Sequence, residues 1–248
     1  VAAVKAGLNV VPIRAVVIGV PAHNEVQRVA ASVTSMLEAV EALGPGIEVH
    51  LTVAADRCSD GTEHVIAAIA EHHPQVHIAS GRWGTAGGAR RAAIARGLAA
   101  MTSADTRRLD EVWIATTDAD TVVTDDWLQR QLSYADNGFD AVAGVVELMD
   151  DADRSPAIAG HFALHYAFDE INSHSHVHGA NLGVRATAYL AAGGFPDLAC
   201  SEDHALWNEL LRLGRPCASP VDVRVLTSAR LNGRAIGGFA DGLAKAMR

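Results

Sequence analysis

An α/β fold with a mostly parallel central sheet and helices on both faces is predicted by three features of the 248-residue chain. Short β-branched runs alternate with amphipathic stretches in βαβα order, the pattern of a sheet built from right-handed crossovers. Each of three apolar runs is followed at once by a polar cluster: Pro21–Glu25, Asp56–Gly61 and Asp118–Asp120. Neither an internal repeat nor a low-complexity linker breaks the series. In sheets of this kind ligands gather at the carboxyl ends of the strands, so the three clusters are expected to meet at one crevice.

The elements follow in order. Ala15–Val20 (AVVIGV) reads as a buried strand, and Gln27–Leu43 as a helix with apolar residues at Val29, Val33, Met36, Leu37 and Val40. Gly44-Pro45-Gly46 ends it. Glu48–Ala54 is a second strand and Thr62–His73 a second helix, with Thr62 or Gly61 at its start. Gln75–Ala79 is a third strand, Thr85–Met101 an Ala-rich helix and Glu111–Thr117 a fourth strand. Beyond it come a helix at Asp126–Asp136, a strand at Ala141–Glu147, an acidic loop at Asp150–Pro156 and a helix at Ile158–Ile171. A polar turn and short strand at His174–Gly183 precede a short helix at Arg185–Ala192, closed by Gly193-Gly194. Ser201–Leu213 is a helix with Ser201 as N-cap, and Val221–Leu226 a last strand. The reading is a single domain over 1–248, with one half at about 13–125 and the other at about 126–240.

Composition narrows the function. Apolar residues make up 49% of the chain and aromatics 5%, so a sizeable core is built from Ala, Val, Leu and Ile. No apolar run reaches the roughly 18 residues of a membrane span, and the start of the chain lacks a secretory pattern. Three cysteines without metal-type spacing fit a reducing compartment, so a cytoplasmic location is expected. The formal net charge of −9 argues against nucleic acid as a partner. Oligomeric state is not legible.

The polar clusters carry the chemistry. Asp118-Ala119-Asp120 places two carboxylates at i and i+2 beyond a strand end, where they suit a hard divalent cation such as Mn²⁺ or Mg²⁺. The other reading is a solvated acidic turn. Asn24 and Glu25 suit nucleotide base or ribose edges, or capping of the following helix. Asp56 suits a base N–H, or belongs to an ordinary turn. Gly84–Arg91 is a Gly-rich helix entry that can admit an anion to backbone N–H groups. Within it Arg90 either reaches a diphosphate or is an exposed structural residue. It lacks the Lys of a P-loop, so an ATP site is not read there. Ser228 and Arg230 lie in the loop Thr227–Arg234, where two arginines suit phosphate, or a solvated loop. His174, His176 and His178 alternate without convincing zinc spacing. His178 is read as an acceptor-pocket residue.

Taken in order, these clusters resemble the family 2 glycosyltransferases with the GT-A fold, a Rossmann-like nucleotide-diphospho-sugar transferase architecture. Pro21, Asn24 and Glu25 match that family's Pro-x-x-Asn-Glu strand end. Asp56, Ser59, Asp60 and Thr62 match its Asp-rich loop, and Asp118 with Asp120 its metal motif. His178–Arg185 followed by Gly193-Gly194-Phe195 resembles the acceptor-side segment, and Glu202-Asp203 the family's Glu-Asp motif. The likeness runs from about Val16 to Gly238.

The resemblance implies roles. Asp56 contacts the base, Asp120 holds the metal, and Asp118 touches the ribose or supports the metal. Asp203 is the general base, with Glu202 beside it. It also implies a nucleotide-diphospho-sugar donor of UDP or GDP type, a hydroxyl acceptor, and inversion at the anomeric carbon. Some related transferases hold the metal with a His after the Glu-Asp motif. Here none follows His204, so the last ligand is either His204 or diphosphate and water. Three rivals remain: a retaining GT-A synthase acting on a small acid such as phosphoglycerate or glycerate, a nucleotidyltransferase, and a donor-binding module without catalysis. Pro21–Glu25 lacks the basic Gly loop of a nucleotidyltransferase, and the intact Asp118, Asp120 and Asp203 speak against a non-catalytic module.

Overall fold

A computed structural model describes residues 10–101, 106–149 and 173–230. The predicted loop Asp150–Pro156, the helix Ile158–Ile171 and Arg234 lie outside the described residues. The first half is β1 (Ala15–Ala22), α1 (Val29–Ala42), β2 (Glu48–Asp56), α2 (Thr62–Ala70), β3 (Val76–Gly81), α3 (Ala86–Ala100) and β4 (Val112–Thr116). The second half is β5 (Thr121–Val123), α4 (Trp127–Asp136), β6 (Ala141–Ala143), β7 (Val145–Leu148), β8 (Leu182–Arg185), α5 (Ala186–Ala191), α6 (Glu202–Arg212), β9 (Cys217–Ala218) and β10 (Arg224–Thr227).

A seven-stranded sheet runs β3-β2-β1-β4-β8-β6-β9, and a three-stranded sheet runs β5-β10-β7. The strands β3, β2, β1 and β4 pair in parallel, as the βαβα order requires. In the seven-stranded sheet β8 runs against its neighbours β4 and β6, and in the small sheet β5 runs against β10. Alternation along β1 splits the core in two. Val16, Ile18 and Val20 pack with α1 and α4, whereas Ala15 and Val17 pack with Ile94 of α3 and the apolar faces of α5 and α6. The fully buried Ile18, Leu51, Ile66, Ile94 and Ile114 each contribute roughly 1.5–3 kcal/mol by leaving water. A Cβ on Gly19 would meet Ile94 Cγ1 at 2.7 Å, so this glycine lets α3 lie close on β1.

The structure departs from the sequence reading where distant contacts intervene. The strand expected at Ala141–Glu147 is two strands in two sheets, broken at Gly144. A Cβ there would lie 2.3 Å from Asn181 Nδ2 and 2.5 Å from the Val223 carbonyl. Asn181, fully buried, donates to the carbonyls of Val145 and Val223 and accepts from Trp127 Nε1, knitting the small sheet to the large one. The short strands β5 and β9 carry too few residues for a periodic signal. Ser201 is the N-cap residue of α6, as expected, but with φ of 63° and no capping bond from its side chain. Gly61, with φ of 91°, takes the position before α2, and Thr62 is its first residue.

Candidate functional site

The carboxyl ends of β1, β2 and β4 open onto a cavity of about 490 Å³. Its wall carries Pro21, Glu25, Asp56, Gly84, Arg90, Asp118 and Asp120 from the first half. Glu202, Asp203, Ser228 and Arg230 face them from the second. Asn24 is not on the wall. It adopts a left-handed φ of 55°, and its Oδ1 accepts the Ser59 N–H at 2.8 Å, so it locks the loop after β1 to the loop after β2. Capping of α1 is also absent: the helix makes no side-chain cap bond, and Glu25 turns its carboxylate elsewhere.

Asp56 ends β2 with its carboxylate buried against the turn after β3. It accepts the N–H of Trp83 at 2.7 Å and of Gly84 at 3.1 and 3.2 Å, and Arg57 lies 3.2 Å away. Gly84 has φ of 82°, which suits glycine at that turn. His23, not singled out from the sequence, places Nδ1 2.6 Å from the Asp56 carbonyl oxygen. Its only sequence signal was its place inside Pro21–Glu25.

The two aspartates after β4 share the cavity but not their partners. Asp118 Oδ1 accepts from Arg90 at 2.7 Å, whereas Asp120 Oδ2 lies 2.9 Å from Arg230. Arg230 also grips Glu25 with both terminal nitrogens, at 2.8 and 2.5 Å. Burial pushes the Asp120 carboxyl up to about 6; Arg230 opposes this, and the negative Asp118 and Glu25 add to it. Ser228 sits on the wall, 3% exposed, where its Oγ accepts the Arg230 N–H at 3.3 Å.

Arg90 corrects the sequence reading. Its side chain is 3% exposed, and its terminal nitrogens are taken by Asp118 and, at 2.5 Å, by Glu202. The guanidinium lies 5.1 Å from the centre of the Phe195 ring. Burial alone would lower its pKa, but Asp118, Glu202 and Asp203 outweigh burial and raise it, so it stays charged. It is therefore neither an exposed residue nor a free phosphate hook. At the Gly-rich start of α3, Gly84 and Thr85 line the cavity. Thr85 caps the helix by accepting the Gly88 N–H at 3.0 Å, and a Cβ on Gly87 would lie 2.5 Å from the Pro196 carbonyl oxygen. Gly87 thus admits the segment before α6.

At the first turn of α6, Glu202 and Asp203 point into the cavity region. Asp203 Oδ2 accepts the Gly179 N–H at 2.9 Å, and Oδ1 accepts the His204 N–H at 2.7 Å. His178 lines the same wall. Burial holds it down to about 4 against the pull of Asp203, with His176, His204 and His174 acting in the same sense as burial. The missed partner here is Gly179, whose signal was only its place in the run His178–Arg185.

Comparison with known proteins follows this geometry. The model of glycosyl transferase family 2 matches residues 17–185. The mannosyltransferase PcManGT from Pyrobaculum calidifontis, solved with GDP-Man and Mn²⁺, shares 21% identity over 93% of this chain and 62% of its own, with a TM-score of 0.61. TarS 1-349 of S. aureus in complex with UDP shares 13% identity over 87% of this chain and 60% of its own, with a TM-score of 0.61. Glucosyl-3-phosphoglycerate synthase from Mycobacterium tuberculosis, in complex with phosphoglyceric acid, shares 17% identity over 95% of this chain and 76% of its own, with a TM-score of 0.53. The chain thus spans about 60% of the length of the first two. No curated protein sequence matches it. The likenesses are those of a shared GT-A glycosyltransferase fold, and with the family model covering more than half of its residues the chain belongs to glycosyl transferase family 2.

Proposed function

We propose that the chain transfers a hexosyl group from a UDP- or GDP-sugar to a hydroxyl acceptor, with a divalent cation, Mn²⁺ or Mg²⁺, at Asp120 and Asp118. The observation that carries this reading is one cavity holding the Asp-x-Asp carboxylates on its first-half wall and Asp203 on its second-half wall. The chemistry fits a hard cation: Asp118 and Asp120 offer carboxylate oxygens on one wall of the cavity. Among the described residues no group of three or more His, Cys, Asp or Glu is arranged to hold an ion by itself. Diphosphate oxygens and water would therefore complete its shell. When bound, the cation supplies neutralisation of the leaving diphosphate.

The chain's own residues do the rest. Pro21, Gly84 and Asp56 border the base end. Asp56 spends several lone pairs on Trp83 and Gly84 and keeps the remainder for a base N–H. Asp118 faces the ribose, and Arg230 with Ser228 faces the phosphates. Asp203, fixed by Gly179 and His204, takes the proton of the acceptor hydroxyl as it attacks the anomeric carbon, giving inversion. Glu202 holds its place beside it through Arg90. The work is proposed for the cytoplasm; no described helix is long and apolar enough to cross a membrane.

The second reading is a retaining synthase with a small acid acceptor. It is favoured by the fold shared with glucosyl-3-phosphoglycerate synthase over 95% of this chain. A thermal-shift series with UDP, GDP, CDP and ADP, each with and without Mn²⁺, tests the donor site, because a ligand of the folded state raises Tm by mass action. A Mn²⁺-dependent shift lost in Asp120→Ala is expected. Absence of any shift, together with no transfer from UDP- or GDP-sugars, would sink the reading. The anomeric configuration of the product, read by NMR, separates inversion from retention.

A further inference from the structure

Arg90 joins the halves of the cavity. Its one buried guanidinium binds Asp118, which follows β4, and Glu202, which opens α6, at 2.7 and 2.5 Å. A third contact is steric. A Cβ on Gly179 would lie 2.6 Å from Arg90 Cζ, so the Gly179 backbone rests directly on the guanidinium. That backbone is held from its other groups too: Thr116 Oγ1 of β4 donates to the Gly179 carbonyl at 2.7 Å, and the Gly179 N–H donates to Asp203. Phe195 closes the remaining side. Asp203 thus sits on a stack whose base is Arg90, and Glu202 beside it is tied to the same group.

We propose that Arg90 is a positioning residue that sets Asp203 relative to Asp118, so that occupation of the donor side tightens the acceptor side. This rests on the sugar-transfer reading, in which Asp118 faces the donor and Asp203 the acceptor hydroxyl. The planar fork is what the role requires. Arg presents fixed N–H groups to two carboxylates at once, whereas the ammonium of Lys is a point charge that serves one well. Only Gly at 179 allows the approach.

Amide exchange on the full chain tests this, with Mn²⁺ and either UDP or GDP as probes. In the wild-type protein the Gly179 and His204 amides are protected, and Mn²⁺ with nucleotide slows their exchange further. In Arg90→Lys, Gly179 exchanges at least about tenfold faster through local opening, while Val16–Val20 of β1 is unchanged. Nucleotide still binds but no longer slows Gly179 or His204. Gly179→Ala, which crowds the guanidinium without removing charge, gives the same uncoupling. A merely structural Arg90 would alter Tm and exchange throughout the fold, or would leave the nucleotide effect on His204 intact; either result overturns the proposal. Unchanged Gly179 exchange in Arg90→Lys overturns it as well. If the wild-type chain binds neither nucleotide, the sugar-transfer reading fails, and the Gly179 exchange rate still decides whether Arg90 holds that segment.

Discussion

Arg230→Ala separates the role of this side chain in the free protein from its role with donor bound. Arg230 lies 2.9 Å from Asp120 and 2.8 and 2.5 Å from Glu25, with its side chain 20% exposed. It therefore occupies an oxygen of Asp120 for which a divalent cation held there would compete. A charge-assisted bond of this kind is worth about 1.5–3 kcal/mol net. Releasing Asp120 from it should tighten binding of Mn²⁺ alone by roughly tenfold or more, since about 1.4 kcal/mol is a factor of ten. The measurement belongs at pH 8 and above, because Asp120 is lifted to about 6 with Arg230 in place and loss of Arg230, which lowers it, raises it further. Titration of the aquo-Mn²⁺ electron-spin-resonance signal reads the free ion directly. Binding of Mn²⁺ with UDP or GDP should move the other way, weakening as the phosphate loses its guanidinium partner. Arg230→Lys should fall between. Unchanged or weaker binding of Mn²⁺ alone in Arg230→Ala would refute competition between guanidinium and cation at Asp120.

Three further outcomes follow from the geometry. Asp203→Asn should cut transfer by about 10²–10⁴-fold while leaving Mn²⁺–nucleotide affinity nearly unchanged, as expected for loss of a general base; retained transfer would remove Asp203 from that role. His178, held near 4 when folded against about 6.5 unfolded, binds fewer protons in the native state, so its contribution to stability is complete above about pH 6.5 and is lost as pH falls towards 4. Urea unfolding at about pH 7 and 5 should show a smaller acid loss in His178→Phe than in the wild type. Gly87→Ala should destabilise by about 1–3 kcal/mol, because its Cβ would meet the Pro196 carbonyl oxygen at 2.5 Å. Alanine for glycine inside a helix normally stabilises, so a raised Tm would mean that the Pro196 segment yields.

The sequence was informative wherever the cause was local. Alternation of Val16, Ile18 and Val20 against Ala15 and Val17 marks a strand buried on both faces, and the helix read from Thr85 begins within one residue of α3. The polar clusters fall at the strand ends because the crossover order allows little else. What escaped depends on partners far along the chain. Arg90 is decided by Asp118, 28 residues on, and by Glu202, 112 residues on. Gly144 breaks its strand because Asn181 and Val223 crowd it, and no window around Gly144 contains either. Asp118 and Asp120 illustrate both cases. Their place after β4 is a local fact, but their division between Arg90 and Arg230 is a tertiary one.

That division also bears on how an acidic chain can hold a diphosphate. On the cavity wall stand Glu25, Asp118, Asp120, Glu202 and Asp203 against Arg90 and Arg230. Five carboxylates less two guanidiniums leaves three negative charges, and Asp56 with Arg57 adds none. Each guanidinium is shared between carboxylates, so neither is free to meet a phosphate without leaving one of them uncompensated. A bare diphosphate entering here meets net repulsion in a partly desolvated space, where unscreened charges act strongly. A divalent cation held at Asp120, as proposed, would take the place of Arg230, and that guanidinium would then have the diphosphate as its next partner. On this argument the metal and the nucleotide would enter as a pair. Arg90 keeps its bond to Glu202 whichever partner Asp118 takes, so the wall that carries Glu202 and Asp203 stays tied to the wall that carries Asp118.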